Sequence, residues 1–368
     1  MTDRWDINNI SQQAFAAIDS YVDNFQKIAD IKSDIMYGDL MCCPAPVLSV
    51  VVPTFNRYHC LKDALNSAVS QKPTDFPWEV VVVDNTPLDE FGSTPALSAV
   101  REINSDKVVY YHNRQNLGSG YNWNRGVELS RGKWICFLHD DDLLCSDALA
   151  NIGRMLKNGR CANKKLGYLN ARRVDFNGEF AGHSSEDFGR YPQEKLTRFG
   201  MTICGHTGAG APTCGTTILK KAYIDAGGIN YDFGPSADAV LTYKIMKHYD
   251  AVNSDCVLGG YRWNENASLN KETIINFIIA DDLIMQYVYS QSKFSAIWGK
   301  LFGASISWRN VHRKMVLVKR EKVFISKSDF KKASMYREPC LLIKSIYLAL
   351  YAGYRGIRLL GGQILGRR

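Results

Sequence analysis

Several things are scarce or missing in this chain of 368 residues. No uncharged apolar run reaches the roughly 18 residues that a membrane-spanning helix needs, so no such span is predicted. The ten cysteines include no CxxC pair, and their irregular positions include the adjacent Cys42 and Cys43. This argues against a zinc ribbon or a disulfide framework and for a reducing compartment. No internal repeat or low-complexity segment is present. Acids are nearly missing from one region: residues 291–368 hold 17 Lys and Arg against Glu321, Asp329 and Glu338, a balance of +14. The formal net charge is +8, so the rest of the chain carries −6. A basic block of this kind usually meets a polyanion. No recognisable nucleic-acid module accompanies it, so nucleic acid is not the expected partner and an anionic membrane surface is. The start, Met1-Thr2-Asp3-Arg4-Trp5-Asp6, is polar and acidic, unlike a signal peptide. The expectation is a cytoplasmic protein attached peripherally at the inner face of the cell membrane.

Three regions follow from the patterning. Residues 1–46 read as a helical extension, with Phe15, Ile18, Val22, Phe25 and Ile28 at helical spacing over 11–32. Residues 47–270 read as one α/β domain. Its strands are predicted at 47–52, 78–83, 108–111 and 134–138, each a run of buried type, with helices between them. That alternation implies a largely parallel, Rossmann-like sheet flanked by helices. From about 145 the pattern loosens, with a helix expected near 236–248. Residues 271–368 read as helical and basic.

What the chain has in unusual measure is acid at one point. Trp134-Ile135-Cys136-Phe137-Leu138-His139 leads into Asp140-Asp141-Asp142. Three adjacent carboxylates at a strand end repel one another, and a divalent cation with oxygen ligands removes that repulsion. Ligands of open α/β sheets bind outside the carboxyl ends of the strands. A metal holding a phosphate-bearing ligand is therefore expected here.

Four strand-end elements occur in order. They are Val51-Val52-Pro53-Thr54-Phe55-Asn56-Arg57, Val82-Val83-Asp84-Asn85, Asn116-Leu117-Gly118 with Asn124-Arg125-Gly126, and the acid run. On these the chain resembles the family 2 glycosyltransferases with their GT-A fold, over about residues 47–270. The resemblance implies that Pro53, Thr54, Phe55, Asn56, Arg57 and Asp84 bind the nucleotide base and ribose, with Asn116 nearby. It implies Mn²⁺ or Mg²⁺ at the acid run: Asp141 as ligand, Asp140 near the ribose or a metal-bound water, Asp142 as a further ligand candidate. His139 stands where many members have an acid. Asp238 matches the catalytic base of inverting transfer, with Ala237 in place of the usual Glu and Asp232 in reserve. Arg262, in a late loop running to Ser268, would contact phosphate, and Trp263 would stack or pack. The implied function is sugar transfer from a nucleotide-sugar donor, most often a UDP-sugar, to a glycan or lipid-linked acceptor with inversion, in cell-surface polysaccharide or glycolipid synthesis.

Two alternatives remain open at this level. A sugar-phosphate nucleotidyltransferase would want a glycine-rich basic loop after the first strand, which residues 53–57 are not. A non-catalytic nucleotide-sugar-binding protein is favoured only by Ala237 and His139. At the far end, residues 340–365 form an apolar stretch on which Lys344, Arg355 and Arg358 share one helical stripe beside Leu341, Ile346, Leu350, Ile357 and Leu360. Such a helix lies in a membrane interface or docks on the protein.

Overall fold

The computed structural model describes residues 18–157, 165–176, 178–191, 193–204, 214–262, 271–320, 325–326 and 338–365. Among the described residues, ten strands build one sheet: β1 Ser33–Tyr37, β2 Leu48–Thr54, β3 Trp78–Asp84, β4 Val108–Asn113, β5 Trp134–Phe137, β6 Leu143–Leu144, β7 Leu166–Phe176, β8 Lys195–Leu196, β9 Thr217–Leu219 and β10 Asp250–Arg262. Their order is β1-β4-β3-β2-β5-β9-β7-β10-β6, with β8 against β10. The block β4-β3-β2-β5 is parallel, whereas β9 runs antiparallel to both β5 and β7.

Every residue of β2, β3 and β4 is buried, as strands covered on both faces require. Helix Tyr58–Val69 covers one face through Leu61, Ala64, Leu65 and Ala68. Helix Ser119–Leu129 covers the other, and its Asn124-Arg125-Gly126 triplet explains how it does so. A Cβ at Gly126 would collide with the Val51 side chain, so only glycine lets the helix approach β2 this closely. Arg125 donates to the carbonyls of Ile28 and Ile31, both at 2.6 Å, and straps the preceding segment to the sheet. Asn124 donates to the Ile229 carbonyl at 2.9 Å and accepts from the Ile229 amide and the Tyr223 hydroxyl, each at 2.8 Å. It thus fixes the segment that leads to Asp238.

The amino-terminal expectation needs correction. Residues 1–17 lie outside the described residues, and helix is present only to Asp19. Beyond it lie turns, a 3-10 turn at Gln26–Ile28, and the edge strand β1, antiparallel to β4. The apolar spacing at 22–28 is real but serves a strapped segment: Ile28 is buried while its carbonyl is held by Arg125. Farther on, helix Ala237–His248 stands where expected, and Lys271–Ser290, Lys293–Arg320 and Leu341–Leu365 are helices. Their side chains Tyr287, Phe302, Ile306 and Tyr347 join Val51, Phe137 and Tyr168 in one apolar core. Among the described residues, no helix is long and apolar enough to cross a membrane.

Candidate active site

Register alone brings the first two elements of the site together. Thr54 closes β2 opposite Asp84 of β3, and Val51 of β2 pairs with Phe137 of β5. Three residues past that pair, Asp140 falls beside Thr54, whose hydroxyl donates to Asp140 Oδ2 at 2.8 Å. Arg57 reaches the same loop, donating to Asp141 Oδ2 at 2.6 Å and standing 3.5 Å from Asp140 Oδ1. On the opposite side, the Arg262 amide donates to Asp142 Oδ1 at 2.9 Å and its Nε donates to the Asp141 carbonyl at 2.9 Å. All three aspartates are buried. Arg57 therefore supplies counter-charge to a desolvated acid cluster, and Arg262 holds its backbone and Asp142 by hydrogen bonds.

Burial nonetheless weighs against the charged forms of Asp140 and Asp141. Burial, then the neighbouring Asp141 charge, pushes the Asp140 carboxyl up to about 6. Burial also raises Asp141, with Asp142 adding to it and His139 and Arg57 opposing. Burial pulls His139 down, but the hydrogen bond to Asp142 and the three carboxylates outweigh it, so the imidazole is raised. Its Nδ1 lies 3.0 Å from Asp142 Oδ2, and Trp123 meets its ring edge-on at 5.0 Å between centroids. His139, Asp141 and Asp142 offer ligand atoms within 4.8 Å of one another. One imidazole and two buried carboxylates form a donor set that suits Mn²⁺ or a similar cation. Asp141 and Asp142 of the expected set belong to this group with His139, while Asp140 accepts from Thr54 and lies beside Arg57.

Other expected residues fall where the sheet ends but differ in role. Asp84 is fully buried. Its Oδ1 accepts from the Thr86 amide at 2.7 Å, and its Oδ2 accepts from the Tyr110 hydroxyl at 2.6 Å and Thr94 at 3.0 Å. In this arrangement it organises the loop after β3. Tyr110 and Thr94 were missed, because a tyrosine in an apolar strand reads only as core. Asn116 accepts from the Gly118 amide at 2.8 Å, shaping its own turn. Together with Asn85, Pro87, His112 and Arg114 it lines a cavity of about 420 Å³ at the ends of β3 and β4. Asn56 holds a left-handed backbone (φ 55°) and its amide donates to Thr86 at 3.0 Å, which turns Phe55 outward. Pro53 is buried in β2. Arg57 and Arg262 are both engaged with the acid loop. Trp263 and the rest of the late loop lie outside the described residues.

Asp238 opens helix Ala237–His248, after a kink at Gly234 (φ 53°). Its side chain is partly exposed, yet desolvation pushes its carboxyl up to about 6, against the pull of the Ala239 amide and the His139 charge. The His139 contribution means that Asp238 and the acid loop share one electrostatic neighbourhood. Asp232 is exposed and paired with Lys27 at 2.9 Å, away from this arrangement. Ala237 is buried in the core, where a Glu would need a partner. Cys214 donates to the Leu143 carbonyl at 2.9 Å, and Thr216 accepts from the Phe137 amide at 2.9 Å, bracing the acid loop from the β9 side.

Residues 49–210 match the profile of Glycosyl transferase family 2. The chain carries a family 2 glycosyl transferase domain. That domain belongs to enzymes that transfer glycosyl groups, and the chain has their GT-A fold. Among curated proteins, it is 34% identical over 149 residues to the GalNAc(5)-diNAcBac-PP-undecaprenol beta-1,3-glucosyltransferase of Campylobacter jejuni, covering 38% of this chain and 44% of that protein. It is 30% identical over 104 residues to the abequosyltransferase of Salmonella typhimurium, covering 28% and 31%. The chain thus spans less than half the length of either relative. S. aureus TarS in complex with UDP-GlcNAc superposes with a TM-score of 0.53 at 18% identity, covering 78% of this chain and 79% of that one. At that identity the likeness speaks for the fold.

Proposed function

We propose that this protein transfers a sugar from a nucleotide diphosphate donor, a UDP-sugar in the first instance, to a hydroxyl of a glycan or lipid-linked acceptor with inversion. Two features carry the reading, the first of them the acid loop itself. A buried acid loop presents a metal-type donor set at the sheet's carboxyl edge, and Asp238, a carboxyl of raised pKa, stands within reach of His139's charge. The C. jejuni relative, whose name carries a PP-undecaprenol acceptor, supports a lipid-linked substrate here.

His139, Asp141 and Asp142 would hold a divalent cation, Mn²⁺ or Mg²⁺. When bound, such a cation supplies charge neutralisation for a departing diphosphate. The protein's own residues do the remainder. Asp238 accepts the proton of the acceptor hydroxyl on a carboxylate oxygen. The freed oxygen forms its bond to the anomeric carbon, and the bond to the diphosphate oxygen breaks with its electron pair. A base raised toward neutrality suits that proton transfer, which typically contributes about 10²–10⁴-fold. Thr54 keeps Asp140 oriented, and Arg57 shares its guanidinium between the acid loop and the donor side.

The test is turnover of a nucleotide-sugar panel with and without Mn²⁺, followed by NMR of the product's anomeric configuration. Retention of configuration would refute inversion. Donor binding without turnover, unchanged in Asp238→Asn, would favour a binding protein.

A further inference from the structure

We infer that the carboxyl-terminal helices form a docking face for an anionic lipid surface, on which the protein lies without spanning the bilayer. Helix Leu341–Leu365 is anchored through one side only. Tyr347 is fully buried, donating to the Ile203 carbonyl at 3.4 Å and accepting from Arg309 at 2.7 Å. Tyr351 lies beneath the same guanidinium at 4.4 Å, and Tyr354 meets Phe199 edge-on at 6.1 Å. At 100° per residue, these tyrosines span an arc of about 60°. Leu342, Ile346, Leu350 and Ile357 fall in a second arc, about 80° wide and centred roughly 100° away. They are exposed, Leu342 by 68% and Ile357 by 72%.

The apolar surface continues onto the neighbouring helices. Phe199 and Phe294, 54% and 47% exposed, stack at 5.5 Å beside Tyr354, and Ile297 and Leu301 follow Phe294 on the outer side of helix Lys293–Arg320. Monomeric soluble proteins seldom leave aliphatic and aromatic side chains contiguous in this way without an occupant.

Charge selects the occupant. Lys293 and Lys300 are exposed on the same helix as Phe294, Ile297 and Leu301. The region from 291 onward has 17 basic residues and three acids. A second copy would set one such excess against another, whereas anionic headgroups complement it. No described helix can cross a membrane, so the geometry is that of an amphipathic helix lying in the interface. The inference does not depend on the transferase reading, since it uses none of the site residues.

The experiment is cosedimentation of the full chain with vesicles of phosphatidylcholine alone and of phosphatidylcholine with phosphatidylglycerol. Binding is expected only, or at least about tenfold more strongly, with the anionic vesicles, and should fall with salt. Leu350→Glu with Ile357→Glu, both at exposed positions, should reduce it more than about tenfold while leaving the melting temperature and donor hydrolysis intact. Lys293→Glu with Lys300→Glu should do the same. Failure to bind anionic vesicles overturns the inference. So does a dimer, seen by analytical ultracentrifugation, that the Leu350→Glu and Ile357→Glu pair dissolves while vesicle binding is absent. Loss of hydrolysis in wild type would strike the transferase reading and leave this one standing.

Discussion

Replacing Asp238 with Asn should make the protein more stable and nearly inactive at the same time. The side chain is desolvated at the start of its helix, and its carboxyl rises from 3.8 to about 6. That difference corresponds to about 3 kcal/mol against the charged form. The side chain keeps partial exposure, so solvent screening reduces the net to roughly 1–2 kcal/mol. The sign follows from linkage. A carboxyl raised in the folded state contributes its full stability below pH 3.8, where both states carry the proton, and loses it as pH climbs through about 6. Asparagine has no proton to lose. The variant should therefore melt about 1–3 °C above wild type at pH 7.5, with the gap closing toward pH 4. Its turnover should fall by about 10²–10⁴-fold. Wild-type kcat/KM should decline below about pH 6 as the base is protonated. Differential scanning calorimetry across pH, paired with donor turnover, reads both effects. A variant less stable than wild type at pH 7.5, or a gap independent of pH, would show that this carboxyl is not held against its charge.

Other perturbations have equally definite outcomes. Arg57 donates to the Asp141 oxygen that a cation would use, so Arg57→Gln should tighten Mn²⁺ binding measured by calorimetry without donor, and weaken donor binding. Weaker Mn²⁺ binding would mean that Arg57 prepares the site and does not compete for it. Adding Mn²⁺ at about 100 times its Kd should stabilise the protein by about 2.7 kcal/mol, and His139→Asn should reduce that gain; an unchanged gain removes His139 from the ligand set. Tyr110→Phe deletes a hydrogen bond to the fully buried Asp84, a loss of about 1–3 kcal/mol in denaturant midpoint analysis; a neutral result would mean that Thr94 and Thr86 suffice. Asn124→Ala removes three bonds to the Ile229–Tyr223 region and should lower both stability and kcat.

Much of this was legible in the sequence, for identifiable reasons. The strands of the parallel block are mostly apolar runs, and turn residues end them, so the carboxyl edge could be drawn from the chain alone. The acid triplet was legible because adjacent like charges are costly without a ligand. Its internal geometry was not, since the register that sets Asp140 beside Thr54 joins residues far apart in the chain. Asp84's partners lie 10 and 26 residues away and carry no pattern of their own. The edge strand β1 has mostly half-buried residues and no clean alternation, so a helical spacing upstream masked it.

The way the last helix is fastened limits how this protein can be dissected. Tyr347 closes over the Arg309 guanidinium, which also donates to the Cys204 carbonyl. Shortening the chain before that tyrosine would strip a buried cation of its aromatic lid and open the shared core to water. Deletions at this end therefore injure the fold itself, and a lipid-binding role can be separated from structural damage only by changing side chains that point outward.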